Sequence, residues 1–298
     1  MRIEQLEYFI QISQFKSLTR ASEELHLSHQ ALNASIQKME EELGFQLLTR
    51  SSKGISLTQE GKQFAKGTNK LLAEYYTLLS KIRGEQFQHK DQIRIGIYYG
   101  LLEAYFSDIL AQFYKECPFV PISVTELSSD KLTHDLNNHM IDFGIVSYNS
   151  NESPFWIEDP QYSFVPIYNS KLYARVSIHS PLSKYESLSL KTLFKENILI
   201  YQPKGWGNNV NPACSLIEQT CPTCQVEIET NYQLHKQKLI QGLGVAFGVP
   251  TTYESPEIKL IAIKENIHFI SGILSLNENR APALQYTMNY LTLLCSNV

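Results

Sequence analysis

Apolar positions in the first sixty residues recur at helical spacing. Ile3, Leu6, Phe9, Ile10 and Ile12 mark one face of a first helix over residues 3–15. Ser17 stands as the N-cap of a short second helix, in which Ala21 and Leu25 face inward. His26-Leu27-Ser28 interrupts the pattern. Ser28 caps a third helix that runs to Leu43 and stops at Gly44, where a left-handed residue suits a helix end. Leu32, Ile36, Met39 and Leu43 form its inner stripe. Two helices across so short a break predict a helix-turn-helix. Gln46–Arg50 and Gly54–Leu57 predict two strands around a turn at Ser51-Ser52-Lys53, a hairpin wing. Thr58 then caps a long helix with Phe64, Leu71, Leu72, Tyr75, Leu78, Leu79 and Ile82 on one face. Extended to Phe87 it spans roughly 45 Å at about 1.5 Å per residue. A lone helix cannot bury such a seam, so a helix from a second subunit is expected to cover it.

The periodicity breaks at Phe87–Asp91, which reads as a linker. Strands and helices alternate beyond it. Strands are predicted at Ile93–Tyr98, Pro121–Leu127 and Asp142–Ser147, with helices at Leu101–Lys115 and Asp130–Met140. This order favours a parallel, doubly wound sheet. A second set follows, with strands at Tyr162–Ile167, Tyr173–Val176, Ile198–Tyr201, Gln225–Glu229 and Ala246–Val249. Its helices are predicted at Asn209–Thr220 and Tyr232–Gln241. Two such halves with a cleft between them suit small-molecule binding. Gly242-Leu-Gly-Val-Ala-Phe-Gly248 follows a helix and enters a strand, the reverse of a dinucleotide loop, so Gly242 and Gly244 read as a helix stop and tight turn.

The 298 residues carry a net charge of −4, but unevenly: residues 1–90 hold 12 Lys/Arg against 10 Asp/Glu, the remainder 14 against 20. That asymmetry has the sign of a weakly basic module joined to an acidic partner domain. No apolar run is long enough to span a membrane and the N-terminus does not read as a signal peptide, so the chain is expected to be cytoplasmic. Cys117, Cys214, Cys221, Cys224 and Cys295 do not form a disulfide scaffold, and Cys221-Pro-Thr-Cys224 has no second ligand pair for zinc. No cofactor or metal is expected. An enzyme is disfavoured because no GxSxG, HExxH or phosphate-binding loop occurs. A transport-type solute-binding protein would explain only residues 91–298.

Ordered motifs then carry a family resemblance. Leu6-Glu7-Tyr8-Phe9, Ser17-Leu18-Thr19-Arg20-Ala21-Ser22, Leu27-Ser28, Ala31-Leu32, Ile36 and Met39–Gly44 resemble LysR-type transcriptional regulators, as do Leu47–Arg50 and Leu57–Gly61. Ile93–Gly96, Ile141–Ile145 and Gly242–Ala246 fall where that family has similar segments. The resemblance implies a dimer or tetramer whose helix-turn-helix units read an inverted repeat in double-stranded DNA. It also implies a small-molecule effector bound in the C-terminal cleft. The expected fold is an N-terminal winged helix-turn-helix with a long linker helix, then a C-terminal α/β domain of two doubly wound, periplasmic-binding-protein-like halves. The expected divisions are 1–58 for DNA binding, 59–90 for the linker and dimerisation helix, and 91–298 for effector binding. Half I covers 91–161 with 271–298, and half II covers 162–270.

With Leu32 inward, Gln30, Asn33, Ala34, Gln37 and Glu41 lie on the outer face of the third helix. Asn and Gln amides can pair with adenine, so Gln30, Asn33 and Gln37 are candidate base readers, and His29 near the helix start can donate to a base or a phosphate. Thr19, Ser28, Arg50 and Lys53 are candidate phosphate contacts, which fix position, and Lys38 is a further candidate DNA-binding residue. The plainer alternative for all of them is a solvated surface. The family usually has Gln-Pro after the serine and often Arg at the place of Ala34. His29, Gln30 and Ala34 depart from that, so the operator sequence cannot be carried over. Candidate effector contacts are the strand ends Tyr98, Tyr99, Gly100, Ser128, Ser129, Ser147, Tyr148, Gln202, Thr230 and Asn231. Here too the plainer alternative is that the tyrosines simply cover the sheet. A thiol sensor using Cys214, Cys221 or Cys224 is the other form of the same regulator.

Overall fold

A computed structural model describes residues 1–15, 17–25, 27–51, 54–83, 92–98, 100–102, 106–202, 220–221, 223–251, 255–277 and 281–295. Helices α1 (Ile3–Gln14), α2 (Leu18–Glu24) and α3 (His29–Leu43) precede the hairpin β1 (Leu48–Ser51) and β2 (Gly54–Leu57) and the long α4 (Gln59–Arg83). There follow β3 (Ile93–Tyr98), α5 (Ser107–Glu116), β4 (Ile122–Leu127), α6 (Ser129–Asn137), β5 (Phe143–Asn149), α7 (Phe155–Glu158) and β6 (Tyr162–Lys171). Next come β7 (Tyr173–Ser177), β8 (Ser187–Leu188), α8 (Leu190–Leu193), β9 (Ile198–Tyr201) and β10 (Val226–Glu229). The chain ends with α9 (Tyr232–Ile240), β11 (Ala246–Gly248), β12 (Ile258–Ile263), β13 (His268–Leu276) and α10 (Pro282–Cys295). These elements gather into two compact units. One holds residues 1–91, 113–121 and 280–298, the other 92–112 and 122–279.

In the first unit Leu6, Phe9, Ile10 and Ile12 of α1 are buried with Ala21, Leu32, Ile36 and Met39, and Phe9 packs on Phe64 of α4. Ser28 Oγ accepts the Ala31 amide at 3.1 Å and Gly44 ends α3 at φ +77°. Ser17 occupies the N-cap of α2, but its side chain makes no capping bond. The first wing strand starts at Leu48 rather than Gln46. The reason is local: Glu40 Oε1 accepts the amides of both Leu47 and Leu48, at 2.7 and 3.0 Å, fixing the chain to α3 before pairing begins. Thr58 donates to the Gln46 carbonyl and accepts the Gly61 amide, so it caps α4 while holding the wing base. A Cβ on Gly61 would stand 2.1 Å from the Leu47 carbonyl oxygen, which explains the glycine.

The long helix buries a different face from the one its large apolar residues predict. Ala65, Thr68, Asn69, Leu72, Ala73 and Thr77 are buried, whereas Leu71, Leu78 and Ile82 are 47%, 56% and 72% exposed. The cover comes from the same chain: α4 packs against α1 and α10. A face of small residues admits a bulky helix such as α10, where Tyr286, Met288, Tyr290 and Leu291 are buried. Asn69 and Thr77 return their side-chain hydrogens to the carbonyls of Ala65 and Ala73, which matches these donors within the helix, while Asn69 Oδ1 is buried without a hydrogen-bond partner. Tyr76 stacks on Tyr286 at 5.7 Å and donates to Glu7 of α1.

The second unit has two lobes. The first is a five-stranded sheet in the order β4-β3-β5-β13-β6. Strands β3, β4 and β5 are parallel and β13 runs antiparallel to β5 and β6, so the sheet is mixed. Asp142 clamps its start by accepting from the Arg94 amide and guanidinium. Residues 162–171 belong to this lobe, paired along β13, so the crossing into the second lobe falls after them rather than at residue 162. Its cause is the nine-residue, largely buried β13, which needs partners on both sides. The second lobe sets β11-β7-β12-β8 beside β10-β9, joined by a parallel bridge between Ile198 and Val245. Gly242 turns at φ +73°, and a Cβ on Gly244 would stand 2.4 Å from the Asn197 oxygen, in keeping with a helix stop and a tight turn. Helix α6 stops at Asn137, three residues early, and His139 beyond it takes φ +53°. The expected linker at Phe87–Asp91, most of the helix at Asn209–Thr220, and Lys53, Tyr99 and Cys214 lie outside the described residues.

Candidate functional sites

Helix α3 divides cleanly. Leu32, Ile36 and Met39 are buried, while His29, Gln30, Ala34, Gln37 and Lys38 are exposed and Asn33 is half-buried. Period-3.6 geometry alone produces that split. Leu48 and Arg50 alternate with Thr49 along β1, and Leu48 is anchored in the core. Arg50 therefore leaves the strand on the α3 side, and its Nη2 donates to Asn33 Oδ1 at 2.6 Å. Two residues singled out separately thus meet. Thr19 is exposed near the start of α2, and Ser28, also exposed, has its hydroxyl engaged as the helix cap. Of the three glutamates after Met39, Glu41 and Glu42 are exposed and Glu40 braces the wing.

In the first lobe, register aligns Tyr98 with Leu127 and Ile97 with Ile145, which brings the carboxyl ends of β3, β4 and β5 together. Tyr98 shares a 2.8 Å hydrogen bond with Ser129 at the start of α6, and burial pushes the Tyr98 hydroxyl above its ordinary pKa. Ser147 accepts from Ser271 Oγ at 3.0 Å across the β5–β13 pair. Gly100 turns at φ +80°. Tyr148 stands edge-on to Trp156 and Phe164, with ring centroids at 5.5 and 5.7 Å, so this tyrosine covers the sheet.

In the second lobe the Gln202 amide donates to the Glu229 carbonyl at 2.8 Å, continuing the β9–β10 pairing. Thr230 is exposed, and Asn231 Oδ1 caps α9 by accepting the Leu234 amide at 3.0 Å. Ser271 and the aromatic pair Trp156–Phe164 are additions to the sequence reading. The β13 run His268–Leu276 is the signal that announces Ser271, being nearly continuous in apolar and small residues. Arg175 and His235 are the other additions. Arg175 Nη2 donates to the Val249 carbonyl at 2.6 Å, and His235 is buried with Nδ1 unpartnered. Burial pushes the thiols of Cys117 and Cys295 up to about 12, and burial also raises Cys224 beside Cys221. Among the described residues no three His, Cys, Asp or Glu side chains converge on a common point.

A winged helix-turn-helix on a long helix, followed by a two-lobed α/β unit, defines a modular regulator with a reading head and a sensing domain. Residues 3–62 match the family model for the bacterial regulatory helix-turn-helix protein of the lysR family, and residues 88–291 match the LysR substrate binding domain. The chain belongs to the LysR family of bacterial transcriptional regulators. It is 30% identical over 203 residues to the regulator BenM of Acinetobacter baylyi, a match covering 67% of this chain and 64% of that protein. It is 23% identical to the probable cat1 operon transcriptional activator of Acinetobacter lwoffii, with the same shares covered. The match thus spans just under two thirds of the length of either regulator. Among solved structures, full-length CbnR complexed with its target DNA superposes with a TM-score of 0.56 at 18% identity, covering 98% of this chain and 99% of that one. A full-length OxyR from Pseudomonas aeruginosa gives the same TM-score, identity and coverage. No helix among the described residues is long and apolar enough to cross a membrane.

Proposed function

We propose that this protein is a sequence-specific DNA-binding transcription regulator whose action is set by a small molecule held in the two-lobed unit. The observation that carries the reading is the exposed start of α3, where His29, Gln30, Asn33 and Gln37 project beside the wing residue Arg50. Such a face enters a major groove by its N-terminal residues. Thr19, Ser28, Lys38 and Lys53 are assigned to phosphate positioning. Residues 1–58 are the reading head, 59–90 the linker and 91–298 the sensor, with 162–171 assigned to its first lobe. The exposed stripe Leu71, Leu78 and Ile82 on α4 is assigned to a second copy of the chain, giving a homodimer or tetramer that matches an inverted repeat. The effector is assigned to the strand ends, with Tyr98, Gly100, Ser128, Ser129 and Ser147 from one lobe and Gln202 and Thr230 from the other. DNA binding places the protein in the cytoplasm. Burial raises the thiols of Cys117, Cys224 and Cys295, the opposite of what a reactive sensor needs, which favours a ligand over redox control at those three positions.

Fluorescence anisotropy on the DNA upstream of the protein's own gene, with excess nonspecific competitor, tests the reading. Saturable binding should survive competitor and fall by about 5- to 150-fold in Asn33→Ala, in line with roughly 1–3 kcal/mol per base contact. Binding that competitor removes entirely contradicts it.

A further inference from the structure

Arg50 and Asn33 sit 17 positions apart and on different elements, yet a 2.6 Å hydrogen bond joins them at the exposed edge of the helix-turn-helix. A guanidinium is a donor only, so the carboxamide atom facing it must be the oxygen. That settles which end of Asn33 turns outward: Nδ2, with its two hydrogens. An asparagine that reads adenine uses Oδ1 to accept from N6 and Nδ2 to donate to N7, and a guanidinium crowded against Oδ1 competes with N6 for that end. With one Oδ1 lone pair taken by Arg50 and the guanidinium standing beside that end, the face the pair presents is dominated by donors, the Asn33 amide hydrogens and the remaining guanidinium hydrogens. The base edge that offers two adjacent acceptors and no donor in the major groove is guanine, through O6 and N7, whereas thymine offers one acceptor beside a methyl group. The sequence on its own assigns Arg50 to a phosphate and Asn33 to adenine. The contact changes both roles.

We propose that Arg50 is a positioning residue for base readout, holding the Asn33 carboxamide so that the two side chains together select guanine over adenine in each half-site. The inference rests on the DNA-binding reading given above. The packing around the pair supports a stable arrangement. Leu48, two residues before Arg50, is buried, and its amide is held by Glu40 of the same helix that carries Asn33. The wing strand and α3 are therefore tied together about two helical turns from Asn33 and two residues from Arg50.

The test is selection of a randomised duplex library by the full-length protein, followed by anisotropy on the enriched duplex and its single-base variants. Wild type, Asn33→Ala, Arg50→Ala and Arg50→Lys are compared, with thermal unfolding as a check that each variant folds. Wild type should prefer guanine over adenine by about tenfold at one position per half-site. That preference should collapse in Asn33→Ala and in Arg50→Ala while other positions keep theirs. Arg50→Lys retains the charge but not the planar fork, so it should recover overall affinity without recovering the guanine preference. The proposal is overturned if the Asn33-dependent position prefers adenine. It is also overturned if Arg50→Ala weakens every duplex equally, with a salt slope shallower by about one and the base preference intact, the pattern of a phosphate contact. Both of those results leave DNA binding standing. Failure of wild type to enrich any duplex overturns the DNA-binding reading and this inference with it.

Discussion

His235 on α9 is 9% exposed, and its lowered pKa of about 4 comes first from burial and then from Arg175, with Glu229 acting in the opposite sense and Lys238 adding to the lowering. Unfolded, a histidine takes up its proton near pH 6.5; folded, this one refuses it until about pH 4. Between those values the unfolded chain binds more protons, so stability is complete above pH 6.5 and is lost as pH falls toward 4. The loss amounts to at most roughly 3 kcal/mol. Chemical denaturation of wild type and His235→Leu across pH 4–7 should show a flatter acid limb in the variant; equal slopes would remove the assignment. At this scale the sequence was only partly legible. Asn33 and Arg50 are visible as candidates because helical geometry and turn chemistry place them on outer surfaces. Their hydrogen bond is not, since nothing local records which way a wing strand leans. Likewise His235 reads as one more polar residue on a helix until the sheet beneath α9 is known. Tyr148 is legible as a strand-end tyrosine, yet Trp156 and Phe164 reach it from elements that no spacing rule joins to β5.

Elements were legible wherever period and capping agreed. Ser28 and Gly44 bound α3, and Thr58 starts α4, because a single side chain or a single left-handed residue decides those ends. Strands β7, β9, β10 and β11 of the second lobe were legible to within a residue at each end, whereas β8, β12 and the sheet order were not. The antiparallel entry of β13 between β5 and β6 depends on long-range pairing that a local pattern does not encode. The face of α4 is the instructive case. Large apolar residues point to one seam, but close packing inside the chain uses the small ones. Two glycines of this helix should therefore respond oppositely to alanine. At Gly61 a Cβ would meet the Leu47 carbonyl oxygen at 2.1 Å, so Gly61→Ala should destabilise by about 1–3 kcal/mol. At Gly67 nothing lies within 4 Å of the added carbon, so Gly67→Ala should stabilise by about 0.5–1 kcal/mol. Urea midpoints of the two variants against wild type decide the matter. Stabilisation in both would mean that backbone entropy, not the wing contact, governs the helix; destabilisation in both would contradict the open space at Gly67.

For the whole molecule, the charge asymmetry and the two-part grammar announced a reading head and a sensing domain before any coordinates. The proposed interaction between copies rests on what the described residues leave uncovered. Leu71, Leu78 and Ile82 lie along α4 at spacings of seven and four residues, a seam suited to a second α4. Replacing both Leu78 and Ile82 with Asp should leave the fold intact and yield monomers by light scattering; an unchanged oligomer would place the interface elsewhere. The central claim is that paired copies of this helix-turn-helix read a two-fold DNA site. DNase I footprinting of the full-length protein over its own upstream region, beside Asn33→Ala, tests that most directly. Two protected half-sites related by inverted symmetry, on one face of the duplex and lost together in the variant, are the predicted result. A single unpaired protection, or protection indifferent to Asn33, would contradict it.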